Sequence, residues 1–94
     1  MDVRYHLDPD TGRPHIYGHG VTEREVEDVM RAAGEDLPAA RGARMKLGRT
    51  AAGRYLQVIY VPDEGSRDVF VITAYDLRGK AKKAFRRRQR RKPR

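Results

Sequence analysis

Residues 43–75 read ARMKLGRTAAGRYLQVIYVPDEGSRDVFVITAY, and their apolar spacing decides the fold class. From Ala43 the pattern has a period of two, with Met45 and Leu47 on one side of an extended chain and Arg44, Lys46 and Thr50 on the other. Ala51-Ala52-Gly53 is short enough for a hairpin loop, and Arg54 to Val61 resumes as a strand that is largely apolar on both faces. Pro62-Asp63-Glu64-Gly65-Ser66 is dense in turn formers. Val69 to Tyr75 then reads as a third long strand, and the adjacent Val71 and Ile72 predict a central strand covered on both sides. Three consecutive strands joined by short turns predict an antiparallel meander.

Upstream, Thr22 followed by Glu25 is a capping box, and Val21 with Val26 fills the two positions of a hydrophobic staple. A helix is therefore expected to begin at Thr22. Val26, Val29, Met30 and Ala33 recur at helical spacing, and Gly34 stands where a left-handed residue closes a helix. Val3 to Leu7 and Pro14 to Tyr17 flank the turn-rich segment Asp8-Pro9-Asp10-Thr11-Gly12-Arg13 and read as a small hairpin. Leu37 to Gly42, broken by Pro38 and Gly42, reads as a loop.

Downstream, Asp76 is placed to cap a last helix, with Leu77, Ala81, Ala84 and Phe85 on its apolar face. Past Phe85 no apolar residue remains, so residues 1–86 are expected to form one α+β domain and residues 87–94 a mobile basic arm. The expected order is β-β-α-β-β-β-α, a small antiparallel sheet packed with helices and ending in a basic helix.

Charge is segregated along the chain. Eleven of its 21 Lys and Arg lie after Asp76 with no acid among them, whereas ten stand against all 13 acids before it. Such a block repels itself unless a polyanion neutralises it. Arg78, Lys80, Lys82, Lys83, Arg86, Arg87, Arg90 and Arg91 are accordingly the candidate RNA-binding residues. With one aromatic among them, Phe85, at core spacing, they are expected to hold phosphate with little sequence preference. The chain has no cysteine, which excludes disulfides and thiolate metal sites. No apolar run approaches the ~18 residues needed to span a membrane, so no membrane partner is expected and a cytoplasmic setting is the default. At 94 residues only a modest core can form.

Asp8-Pro9, then His19-Gly20-Val21-Thr22, then Leu47-Gly48-Arg49-Thr50-Ala51-Ala52-Gly53-Arg54-Tyr55-Leu56, then Ile72-Thr73-Ala74-Tyr75 before a basic helix form an ordered series. In order and spacing this series resembles the BrnT toxins and related small domains of unknown function with the RelE-like fold. The resemblance runs from about residue 5 to residue 86. It implies a type II toxin that cleaves RNA without metal, free or on the ribosome, and is held by a cognate DNA-binding antitoxin. The family pattern falls on Asp8, Pro9, His19, Gly20, Gly48, Arg49, Thr50, Gly53, Arg54 and Ala74. This chain departs from it at Tyr75, where the family has Arg, at Ala81, where it has an acid, and at Phe85, where it has Tyr.

RNA cleavage by its own 2′-hydroxyl needs a base, cations for the phosphorane and an acid for the leaving oxygen. His19, just before a helix N-terminus, is the candidate base, against the alternative that it only packs the turn. Arg49 and Arg54 flank the hairpin tip and are the candidate phosphate ligands, against a solvated hairpin end. Tyr75 is the candidate acid or stacking group, against a satisfied core tyrosine. His6 and His15 form a pair without a third ligand, so no metal or other cofactor is expected. The non-catalytic alternative is an RNA- or ribosome-binding protein on the same scaffold.

Overall fold

The capping box forms as read. Thr22 Oγ1 accepts from the Glu25 backbone N–H at 3.2 Å, and the Glu25 carboxylate accepts from the Thr22 N–H at 3.0 Å. They open helix α1, Glu23–Arg31, whose Val26 and Val29 are fully buried beside Val21. The structure, a computed structural model, describes residues 1–91.

The remaining elements are strands β1 (Val3–Tyr5), β2 (Glu35–Pro38), β3 (Arg44–Arg49), β4 (Tyr55–Pro62) and β5 (Val69–Asp76), and helix α2 (Gly79–Arg91). The sheet order is β1-β5-β4-β3-β2. β3, β4 and β5 form the expected antiparallel meander, and β2 adds antiparallel to β3. β1 joins β5 in parallel, pairing Val3 with Val69 and Tyr5 with Val71. The fold is α+β with five strands and two helices, but its sheet is mixed where a purely antiparallel one was expected. Between β4 and β5 the register shifts at Ile59/Tyr60, leaving Ile72 as the extra residue of a bulge.

Alternation along the strands sends two residue sets to opposite faces. Leu56, Val58 and Tyr60 of β4 join Val69, Val71 and Ala74 of β5 on the face packed by α1 and Ile16. On the other face Leu47 and Tyr55 pack with Leu77 and Phe85, so α2 lies across β3 and β4. Lys46 reaches round the first face, and its Nζ donates to the carbonyls of Met30 at 3.3 Å and Ala32 at 2.9 Å. These are terminal carbonyls that α1 leaves without an internal donor, and a cation is favoured there. The period-two reading of β3 was right, and both of its sides are packed.

Several local expectations change. The second strand of the N-terminal hairpin is a single Leu7–Pro14 bridge followed by a 3-10 helix, His15–His19. Only Ile16 of that segment is buried, and Gly18 and Gly20 give it little reason to stay extended. The segment read as a loop contains part of β2. It has no alternating apolar pattern because it is an edge strand, with Asp36, Leu37 and Pro38 all exposed. Asp76 does not cap α2, which starts three residues later, and it forms ion pairs instead. Leu77 is buried but precedes the helix, and Ala81 is exposed. Gly34 is not a left-handed helix stop: a Cβ there would sit 2.0 Å from the Leu47 carbonyl oxygen. It is glycine because β3 passes that close. Residues 87–91, assigned by sequence to an arm, continue α2, and residues 92–94 lie outside the described residues.

Candidate nucleic-acid interface

α2 carries Lys80, Lys82, Lys83, Arg86, Arg87, Arg88, Arg90 and Arg91 and buries only Phe85. Its helical spacing sets Lys83 beside Arg87 and Arg86 beside Arg90, like-charge pairs that weaken an isolated helix. Two contacts hold it in place. Phe85 inserts against Tyr55 and Leu47, and Arg88 makes a two-pronged ion pair with Glu35 of β2, at 2.6 and 2.7 Å. The other cations are left facing outward around Tyr55 or into solvent.

Tyr55 is the centre of the densest cluster. Arg49 Cζ lies 5.7 Å from its ring centroid, Lys82 Nζ 5.1 Å and Arg86 Cζ 5.7 Å. Arg49 is placed there by strand register, because it pairs directly with Tyr55 across the β3–β4 hairpin. Its guanidinium lies over Gly53, whose φ of +96° a side chain would strain. Among the described residues none of these three cations has an acidic partner within 4.0 Å. Arg49, Tyr55, Arg86, Gln89 and Arg90 line a hollow of about 400 Å³ with Ala33 and Phe85. A second, of about 220 Å³, is bounded by Lys83, Arg86, Arg87 and Arg90.

Arg54 belongs to another arrangement on the opposite side of the hairpin. Its Nε donates to Asp76 Oδ1 at 2.8 Å, and one terminal nitrogen donates to the Gly20 carbonyl at 2.8 Å and to both Glu25 oxygens at 3.1 and 3.2 Å. Asp76 also accepts from Arg78 at 2.9 Å. Hydrogen bonds from Arg54 and Arg78 outweigh burial and hold the Asp76 carboxyl at about 2, below its ordinary 3.8. Burial pushes Glu25 up, but hydrogen bonds from the Thr22 N–H and Arg54 leave it below its usual range. Arg54 therefore ties the α1 cap to the end of β5. It does not converge with Arg49 on one phosphate.

His19 ends the 3-10 helix and stands 5.7 Å from the Tyr75 ring, centroid to centroid. With Asp76 and Arg78 the pair lines a cleft of about 300 Å³. His15 lies 5.4 Å from His19, and His6 lies 5.9 Å from His15, so the three histidines run in file, His6 against Phe70 and His19 against Tyr75 of β5. The start of α1 near His19 is already filled by the Glu25 carboxylate, which removes the expected bare helix N-terminus as a phosphate cradle.

Of the four candidate catalytic residues the structure brings His19 and Tyr75 together, beside Arg78, holds Arg54 against the Asp76 wall of the same cleft and beside Gly20, and sets Arg49 apart over Tyr55. Sequence reasoning missed Tyr55 and Gln89. The signal for Tyr55 was present in the hairpin length, which places it opposite Arg49. Gln89 carried no local signal. Among the described residues no three His, Asp or Glu side chains are grouped to hold a metal ion, and no helix is long and apolar enough to cross a membrane. Comparison with models of known families, with curated proteins and with solved structures yields no match to this chain.

Proposed function

We propose that the protein binds RNA through α2 and the β3–β4 hairpin, on a RelE-like scaffold and without itself being built chiefly for cleavage. One observation carries this reading: Arg49, Lys82 and Arg86 crowd one tyrosine with no acid within ion-pair distance among the described residues. Cations held together in this way are stabilised by an anion that reaches all of them, and a phosphodiester strand does so repeatedly along the helix. The exposed His19 and the half-buried Tyr75 add ring surface at the near end of α2, suited to unstacked bases rather than to a closed duplex.

The test is titration of single-stranded RNA and duplex DNA at several salt concentrations. If about six of the cations contact phosphates, RNA affinity falls by roughly a thousandfold between 50 and 200 mM salt. A shallow salt dependence, or equal binding of duplex DNA, would count against the reading.

A second reading, metal-independent ribonuclease of the BrnT type with an antitoxin partner, is favoured by the contact between His19 and Tyr75 beside Arg78. There His19 would take the 2′-hydroxyl proton, Arg78 would face the phosphorane and Tyr75 would return a proton to the leaving oxygen. The engagement of Arg54 with two acids weighs against it. Incubating mixed-sequence RNA with the protein in EDTA separates the two: cleavage lost in His19→Ala and Tyr75→Phe but not in Arg54→Lys would support the ribonuclease.

A further inference from the structure

We infer that the hollow between α2 and the β3–β4 hairpin is a site for a phosphomonoester, the phosphorylated terminal nucleotide of an RNA strand. This deepens, and rests on, the RNA-binding reading. Three arginines line the hollow, Arg49 from the hairpin and Arg86 and Arg90 from successive turns of α2, and no acid does. Gln89 lies between them in sequence, and its side-chain amide nitrogen is shielded from water with no hydrogen-bond partner among the described residues. A donor withdrawn from water without an acceptor is costly. An acceptor arriving in the hollow removes that cost once the Gln89 amide turns toward it.

The donor set distinguishes the kind of phosphate. A backbone diester carries one charge and two free oxygens, whereas a monoester carries about −1.5 to −2 at neutral pH and three acceptor oxygens. Three guanidinium forks and an amide N–H match the second better. The volume of about 400 Å³ is more than a phosphate needs. It leaves space for the sugar and base against Ala33 and Phe85, within the usual range for small-molecule sites. The hollow adjoins the cationic surface of Lys83 and Arg87 through Arg86 and Arg90, which border both. A strand anchored by its end can therefore continue along α2.

The experiment compares short single-stranded RNAs of one sequence bearing a 5′-phosphate, a 3′-phosphate or hydroxyls at both ends, by anisotropy at fixed ionic strength. Adenosine 5′-monophosphate and inorganic phosphate are titrated separately by NMR. One phosphorylated RNA is expected to bind about tenfold tighter than the hydroxyl-ended one. That ratio is expected to fall toward one in Arg49→Gln and, independently, in Gln89→Leu. Equal affinity of the three RNAs would overturn the inference while leaving RNA binding intact. A preference that survives both substitutions would overturn it as well, since the phosphate would then be read elsewhere. If no RNA binds, the RNA reading fails, and the nucleotide titration decides the hollow alone. Saturable shifts at Gln89 would keep it as a free-nucleotide site, and their absence would end it.

Discussion

Two arginines on one hairpin meet different fates because adjacent strand residues point to opposite faces. Arg54 is three-tenths exposed and spans Glu25, Asp76 and the Gly20 carbonyl, whereas Arg49 lies exposed over Tyr55. Truncating Arg54 takes one donor from each of two carboxylates, which keep Arg78 and the Thr22 N–H, so Arg54→Ala is expected to cost about 1 to 2 kcal/mol in urea unfolding. Arg49→Ala is expected to cost under ~0.5 kcal/mol in the same assay while weakening RNA binding. The acid partners give a pH signature. Asp76 is depressed to about 2 from 3.8, so its stabilisation is whole above the ordinary value and is lost as pH falls through the folded one. Thermal melts followed from pH 4 to pH 2 are expected to show the midpoint falling, with a shallower slope in Asp76→Asn. Nothing in the sequence around Arg54 distinguished this role from phosphate binding, because its partners lie 22 and 29 positions away.

Elements whose signals are local were legible. The capping box, the α1 stripe at Val26, Val29 and Met30 and the alternation of β3 each depend on residues within a few positions of one another, and each formed in place, whereas Ala33, read as part of that stripe, lies past the helix and is exposed. β2 and the 3-10 helix were not legible, since β2 is extended only because β3 offers it an edge. Its dependence can be measured. A Cβ at residue 34 would collide with the Leu47 carbonyl, and backbone cannot swing aside as a flexible side chain would. Gly34→Ala is therefore expected to destabilise the protein by about 2 kcal/mol or more. β2 also holds Asp36, which accepts from the buried Tyr60 hydroxyl and from Arg44 at 2.6 Å, and Glu35, which anchors Arg88. Burial and the Asp36 contact push Tyr60 up to about 12. Hydrogen exchange in Gly34→Ala is expected to rise in β2 and in the last turns of α2 together. Exchange confined to β2 would show that Arg88 is not a working anchor.

For the molecule as a whole, the sheet separates two kinds of surface. α1 closes one face with an apolar core, and α2 lies over part of the other while carrying eight of the 21 Lys and Arg and no acid. The fold is thus stabilised against the repulsion it concentrates, and a bound polyanion should favour the folded state by mass action. At a concentration a hundredfold above Kd, RNA is expected to add about 2.7 kcal/mol. In differential scanning fluorimetry that corresponds to a rise in midpoint of roughly 10 °C or more for a domain of this size. No shift at low salt would remove RNA as the ligand of the folded protein. The parallel pairing of β1 with β5 has a consequence in time. Val3 cannot dock until Val69 exists and the segment between them has closed, a loop whose entropy resists early formation. β1, made before the other four strands, then waits for β5 before it can pair.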